Sequence, residues 1–170
     1  TSSYPVFTEP DALIVKDTAR IMSLLDGTAK MSKSDPNDAS RINLMDPPDV
    51  IRAKIKSAKT DATVGLEWDN PQRPEATNLL NIYLAVQQSD DTTRDDVLAQ
   101  VSDCTWGQFK PILTDAIVAH LEPIQTRYKD IRKHPDYLNA ILKEGADAAS
   151  EIANETVQKT RAALGFLCQF

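Results

Sequence analysis

Lys30-Met31-Ser32-Lys33-Ser34 is the segment of this chain whose residue types could do chemistry together. Two lysines three positions apart in a loop can bring both ammonium groups onto one polyanion. The hydroxyls of Ser32 and Ser34, with neighbouring backbone N–H groups, can satisfy further phosphate oxygens. Gly27 on one side and Asp35-Pro36 on the other are candidate hinges. Such a set of groups can grip a triphosphate and stabilise charge as pyrophosphate leaves, a task in which one contact is commonly worth ~10²–10³ in rate. A generic Lys-x-x-Lys reads as a solvated basic turn. The full pentapeptide arises by chance on the order of once in ten thousand chains of this length.

The elements that must position this loop differ on its two sides. The first forty or so residues read as irregular and strand-like: Leu13-Ile14-Val15 and Ile21-Met22-Ser23-Leu24-Leu25 are apolar runs too short for helices, set among Pro5, Pro10, Gly27 and Pro36. Two or three such strands cannot bury both faces alone, so their partners are expected elsewhere. From Asp46 the pattern turns helical, with Asp46-Pro47-Pro48 as a cap and proline start and Ile51, Ile55 and Ala58 on one face. Residues 61–75 are turn-rich. A short helix carries Leu79, Leu80, Ile82, Tyr83 and Val86. Thr93 and Asp96 form a capping box ahead of Val97, Leu98 and Val101. The strongest periodicity runs from Phe109 through Leu113, Ile117, Leu121 and Ile124 to Ile131, with Pro111 tolerated near its start and a kink expected at Pro123. A last helix runs from about Pro135 to Leu164, loosened at Gly145. The second half is thus expected to be all-α.

Composition supports a globular chain: of 170 residues, 41% are hydrophobic and 26% charged, and the five glycines and 6% aromatics lean toward helix. A net charge of −6 argues against a generally basic nucleic-acid binder while leaving room for a local cationic patch. Cys104 and Cys168 suggest neither a metal site nor a disulfide framework, so an intracellular setting is expected. No apolar run approaches the roughly 18 residues a membrane helix needs. The chain starts Thr1-Ser2-Ser3-Tyr4, without Met or signal peptide, and a targeting segment could have been lost upstream.

Lys30–Ser34 is KMSKS, the second signature of class I aminoacyl-tRNA synthetases. Its surroundings resemble the tryptophanyl-tRNA synthetases of bacterial or organellar type. The resemblance lies in Ala19-Arg20-Ile21-Met22-Ser23-Leu24, in Ile55-Lys56-Ser57-Ala58-Lys59-Thr60-Asp61, in Asn78-Leu79-Leu80-Asn81-Ile82-Tyr83 and in Ala162-Ala163-Leu164-Gly165-Phe166. One departure is Arg73-Pro74-Glu75-Ala76, where many relatives have glycine near Glu75. The resemblance implies a mainly α chain: the C-terminal edge of a Rossmann-like catalytic domain over residues 1–45, then a helical domain of anticodon-binding type over 46–170. It implies activation of tryptophan with ATP and Mg2+ and its ligation to tRNA(Trp), with a homodimer formed through the catalytic domain. The setting it implies is cytoplasm or an organelle matrix, with no membrane. By the same resemblance Lys30 and Lys33 are catalytic and contact the leaving phosphates. Met31 and Ser32 support the loop on the nucleotide, Ser34 adds a phosphate contact, and the backbone of Ile21 meets adenine. The family's HIGH-like motif and tryptophan pocket belong upstream, and His120 and His134 do not replace them.

Two basic clusters could meet tRNA phosphates or be solvated helix faces: Arg52, Lys56 and Lys59 with Lys54, and Arg127, Lys129, Arg132 and Lys133. Trp68 and Trp106 read as core rather than as stacking platforms. The alternatives are a tyrosyl-tRNA synthetase, which shares the loop chemistry, and a non-catalytic helical tRNA-binding or interaction module derived from a synthetase.

Overall fold

The structure, a computed structural model, describes residues 6–14, 19–87 and 91–166. Among these it contains five α-helices: α1 Pro48–Ser57, α2 Pro74–Ala85, α3 Arg94–Val101, α4 Trp106–Ile131 and α5 Pro135–Ala163, preceded by a 3-10 turn at Asp38–Ser40. The chain divides into two compact units, Ile14–Arg127 and Thr1–Leu13 with Tyr128–Phe170.

The larger unit is built around one core. Ile51, Ile55 and Ala58 of α1, Leu79, Leu80, Ile82 and Tyr83 of α2, Val97 and Val101 of α3, and Phe109, Leu113, Ile117 and Leu121 of α4 are all buried in it. These are the periodic positions legible in the sequence, removed from water because each helix has one apolar stripe. The rings of Tyr83 and Phe109 meet edge-on at 5.7 Å, and Tyr83 Oη hydrogen-bonds Gln100. Trp68 and Trp106 pack against this core.

The capping box at Thr93 and Asp96 is present in full. The cap expected at Asp46 is not: Pro47 caps α1, and the Asp46 carboxylate instead accepts from the Asn43 N–H and from Lys54. Proline at the first helical position starts α2 at Pro74, earlier than apolar periodicity alone indicates. Neither Pro123 nor Gly145 interrupts its helix.

Among the described residues the short strands do not form. Leu13 and Ile14 lie in irregular, exposed chain, Val15 lies outside the described residues, and residues 21–25 make only an isolated antiparallel bridge, Met22 with Lys30. Much of the backbone of residues 21–25 nevertheless finds partners within this chain. The Ser23 N–H donates to Ala29 O and the Met31 N–H to Ile21 O; the Leu24 N–H donates to Ser40 O, and Leu24 O accepts from the Lys59 N–H. The Met22 peptide is held by a side chain: its N–H donates to Asn78 Oδ1 at 2.8 Å and its carbonyl accepts from Asn78 Nδ2 at 2.9 Å. Leu24 is 2% exposed and belongs to the helical core. The strand reading is corrected: Met22 and Leu24 find both of their backbone partners within this chain.

Gly27 is a close approach and not a free hinge. A Cβ there would lie 2.6 Å from the Glu75 nitrogen and 2.7 Å from the Pro74 carbonyl carbon, at the start of α2. The turn region before α2 is gathered by Arg73, whose buried guanidinium meets Asp61 at 2.8 Å and Glu67 at 3.2 Å and donates to the carbonyls of Thr63 and Gly65.

In the smaller unit α5 closes with a glycine device. The Phe166 N–H donates to Arg161 O and the Gly165 N–H to Ala162 O, while Gly165 takes φ +76°, the left-handed turn that ends helices on glycine.

Two stability outcomes follow. Asn78→Ala leaves both Met22 backbone groups unpaired and should cost about 2–3 kcal/mol in denaturant unfolding; Gly27→Ala should cost roughly 1–3 kcal/mol by overpacking α2. A midpoint unchanged in either variant would remove that anchor from the account. For Asp61, burial opposes ionisation, but hydrogen bonds from Arg73 and Thr63 outweigh it and hold the carboxyl at about 2 against 3.8. Its ionised form is thus favoured by folding. The stabilisation is complete above pH 4 or so and is lost as pH falls through about 2. Thermal melting of Asp61→Asn against the parent should show a smaller acid loss across that window; parallel acid profiles would refute it.

Candidate functional site: a cationic cleft at the lysine loop

The lysine loop opens onto a cleft of about 640 Å³ lined on one side by Arg20, Ile21, Lys30, Met31 and Lys33 and on the other by Arg41, Ile42, Asn43, Leu44 and Met45. The antiparallel bridge places Lys30 opposite Met22, and the Asn78 clamp on Met22 fixes that bridge to α2. On the far side the Arg41 guanidinium donates to Asp35 O at 2.9 Å and pairs with Asp38 at 2.9 Å, which ties the end of the loop to the 3-10 turn.

Within the loop, Ser32 and Ser34 share a hydroxyl–hydroxyl contact of 2.9 Å, and the Ser34 N–H donates to Ser32 Oγ. Thr28 is held in a local turn by Asp26, through its N–H at 2.9 Å and its hydroxyl at 2.7 Å. Lys30, Lys33 and Ser34 are exposed, whereas Ile21, Met31 and Ser32 are half-buried, with Ile21 and Met31 packed on the core. All six sequence candidates therefore sit on this one loop and its bridging segment, and five belong to a single pentapeptide.

Among the described residues no carboxylate lines the cleft, while Arg20, Lys30, Lys33 and Arg41 do. Of the acidic side chains nearby, Asp38 pairs both with Arg41 of the cleft and with Lys54. Lys54, only 6% exposed, pairs with Asp38 at 2.6 Å and Asp46 at 2.6 Å. Burial opposes ionisation of Asp46 and of Lys54, but their mutual hydrogen bond and Asn43 hold the carboxyl below its ordinary range, and the two carboxylates raise the lysine above its own. Gln125 of α4 donates to Leu44 O and Asp46 O, so the apolar rim is braced from α4.

Arg20, Arg41, Asn43 and the apolar wall Ile42–Met45 were not singled out by sequence reasoning. They lie in chain without periodicity: Arg20 reaches the loop beside the Ile21–Met31 pairing, and residues 41–45 follow the turn at Asp38–Ser40. The first basic cluster is divided by the fold. Lys54 is buried, Lys59 pairs with Glu75 at 2.7 Å, and Arg52 lies 4.0 Å from Asp115. In the second, Arg127, Lys129, Arg132 and Lys133 are exposed, with Lys133 near Asp130. His120 is half-buried on α4. Among the described residues no group of three or more His, Cys, Asp or Glu could hold a metal ion, and no helix is long and apolar enough to cross a membrane.

Residues 1–122 match the family model of the class I tRNA synthetases (W and Y). The tryptophan–tRNA ligase of Thermosynechococcus vestitus is 52% identical over 162 residues, which is 95% of this chain and 48% of that protein. The chloroplastic/mitochondrial tryptophan–tRNA ligase of Arabidopsis thaliana is 48% identical over 161 residues, 95% of this chain and 39% of that one. Among solved structures, tryptophanyl-tRNA synthetase from Mycoplasma pneumoniae superposes with a TM-score of 0.78 at 29% identity, over 90% of this chain and 45% of that one. The chain spans about half the length, or less, of the curated relatives it matches. It belongs to the class I tRNA synthetases of the W and Y family, and within that family to the tryptophanyl branch.

Proposed function

We propose that this chain supplies the phosphate-gripping half of an ATP site in an enzyme that activates tryptophan and ligates it to tRNA(Trp). The observation that carries this reading is the cleft: four cationic side chains, no lining carboxylate among the described residues, and an apolar wall behind them. A triphosphate brings concentrated negative charge, and preorganised cations beside it stabilise the further charge that develops as pyrophosphate departs. Lys30 and Lys33 are the catalytic pair in this reading. Ser34 and Ser32 offer hydroxyls to phosphate oxygens, Met31 seats the loop against the core, and the backbone at Ile21 meets the adenine. Mg2+ arrives with ATP as its counter-ion. Residues 1–45 act as the edge of the catalytic domain and 46–170 as the helical domain that meets tRNA. The intact enzyme works as a homodimer in the cytoplasm or an organelle matrix.

What the lysines contribute is specific to the transition state, because their charge is needed most when the leaving group is most negative. The half of the relatives that this chain does not span would provide the tryptophan pocket and the remaining nucleotide contacts.

In the enzyme with both halves, tryptophan should drive ATP–pyrophosphate exchange and tyrosine should not. Lys33→Ala should lower the exchange rate by ~10²-fold or more with little change in tryptophan affinity, and Lys30→Ala should act in the same direction. Residues 1–170 alone should show no tryptophan-dependent exchange. Wild-type rates in both lysine variants would reduce the loop to a basic turn. Tyrosine-driven exchange at comparable efficiency would overturn the substrate.

A further inference from the structure

Arg41 lies outside the lysine pentapeptide, and its side chain is 16% exposed. Its guanidinium is engaged on three sides. Nε donates to Asn43 Oδ1 at 3.1 Å, one terminal nitrogen donates to the Asp35 carbonyl at 2.9 Å, and the other meets Asp38 Oδ1 at 2.9 Å. Asp38 continues the connection. Its second oxygen pairs with Lys54 Nζ at 2.6 Å, and its first also accepts from Asn43 Nδ2 at 3.0 Å. Lys54 is buried on α1, the helix that gives Ile51 and Ile55 to the core. Through Lys54, Asp38 and Arg41, side chains thus join α1 to the residue that follows Ser34, with no link longer than 2.9 Å.

Arg41 can serve the cleft by its charge or by its geometry, and its contacts favour geometry. The charge is matched by Asp38, whose carboxyl is held below its ordinary range by hydrogen bonds from Lys54 and Asn43 and is therefore ionised at neutral pH. The planar fork, by contrast, reaches three acceptors at once, which an ammonium on a flexible stem does not. The carbonyl it holds belongs to Asp35, close behind Lys33, and the Asp35 N–H has only a long bond of 3.4 Å to Ser32 O. Fixing that carbonyl fixes the far end of the loop, and with it the place from which the Lys33 stem departs. A misplacement of about 1 Å in the groups around a reacting centre can cost ~10²-fold in rate.

We infer that Arg41 is a positioning residue for the lysine loop: with Asp38 and Lys54 it carries the loop's far end on α1, so that Lys33 is aimed from the helical core. The inference rests on the reading of the loop as a phosphate grip, and adds to it residues that act without touching phosphate.

The test uses the enzyme with both halves and reads tryptophan-driven ATP–pyrophosphate exchange, with the melting temperature of each variant as the check on folding. Arg41→Lys keeps the charge and loses the fork; it should lower kcat about tenfold or more while the KM for ATP moves less than about threefold. Asp38→Ala removes a carboxylate beside a cationic cleft. Charge alone would make that variant bind ATP more tightly; positioning lowers its kcat, the same direction as Arg41→Lys although the two residues have opposite charge. Asp38 is 56% exposed, so this variant keeps the core whole and carries the test should Arg41→Lys unfold. The double variant should match the slower single one within about twofold, because both changes break one chain of contacts. Without substrates, Arg41→Lys should speed tryptic cleavage after Lys33 by about fivefold or more, as the loop's far end is released. Wild-type kinetics in Arg41→Lys would overturn the inference. So would tighter ATP binding with undiminished kcat in Asp38→Ala, or a loss confined to the KM for ATP. Lys33→Ala is measured alongside. A rate loss there, with wild-type rates in Arg41→Lys and Asp38→Ala, overturns this inference alone; wild-type rates in all three overturn the phosphate-grip reading with it.

Discussion

The carboxamide of Asn78 determines how the irregular half of the chain is attached to the helical half. A peptide group buried against a helix must find a donor and an acceptor at once, and only an asparagine or glutamine side chain presents both in the spacing of a strand neighbour. By holding Met22 in this way, Asn78 does what an adjacent strand would do, and it does so from α2, which is 56 residues away in sequence. The Met22–Lys30 bridge, the burial of Leu24 and the approach of Gly27 to Pro74 and Glu75 all lie within a few residues of that clamp. The lysine loop is therefore carried by the helical core, and its position is set by α2 before any nucleotide is considered.

A second constraint is electrostatic. The chain has an overall charge of −6, and a cationic cleft on such a body persists only if nearby carboxylates are occupied. Lys54 occupies two of them and Arg41 shares one. Burying a lysine is costly unless its charge is paired and hydrogen-bonded, and here two aspartates from different turns do both. The contact joins α1 to the 3-10 turn, and through Asp38 it also reaches Arg41 at the cleft.

How much of this was legible follows from what each feature depends on. Helices were readable because their apolar faces repeat: Ile51 and Ile55, Leu79 and Tyr83, and Phe109 through Leu121 are all in the core. The capping box at Thr93 was readable because it is local. The lysine loop was readable because its chemistry is contiguous. Ile21 through Leu25 misled because an apolar run satisfied by one distant side chain and two distant backbone groups looks, in sequence, like a strand. Arg20, Arg41 and the Ile42–Met45 wall carry no periodic signal. Lys54 was misread as part of a solvated patch because helical spacing gives its direction but not the two aspartates that receive it.

The two ties of the lysine loop bear on the entropy of ligand capture. Met31 is bonded to Ile21 at one end, and Asp35 to Arg41 at the other. Only Ser32, Lys33 and Ser34 lie between these ties, and the two serines already share a contact. Ordering a residue costs about 1–2 kcal/mol of backbone freedom, so a long slack loop would consume much of what a triphosphate offers. A span this short leaves little freedom to lose. The energy of the phosphate contacts can then appear as binding and as rate, because folding the chain has already restricted most of the loop.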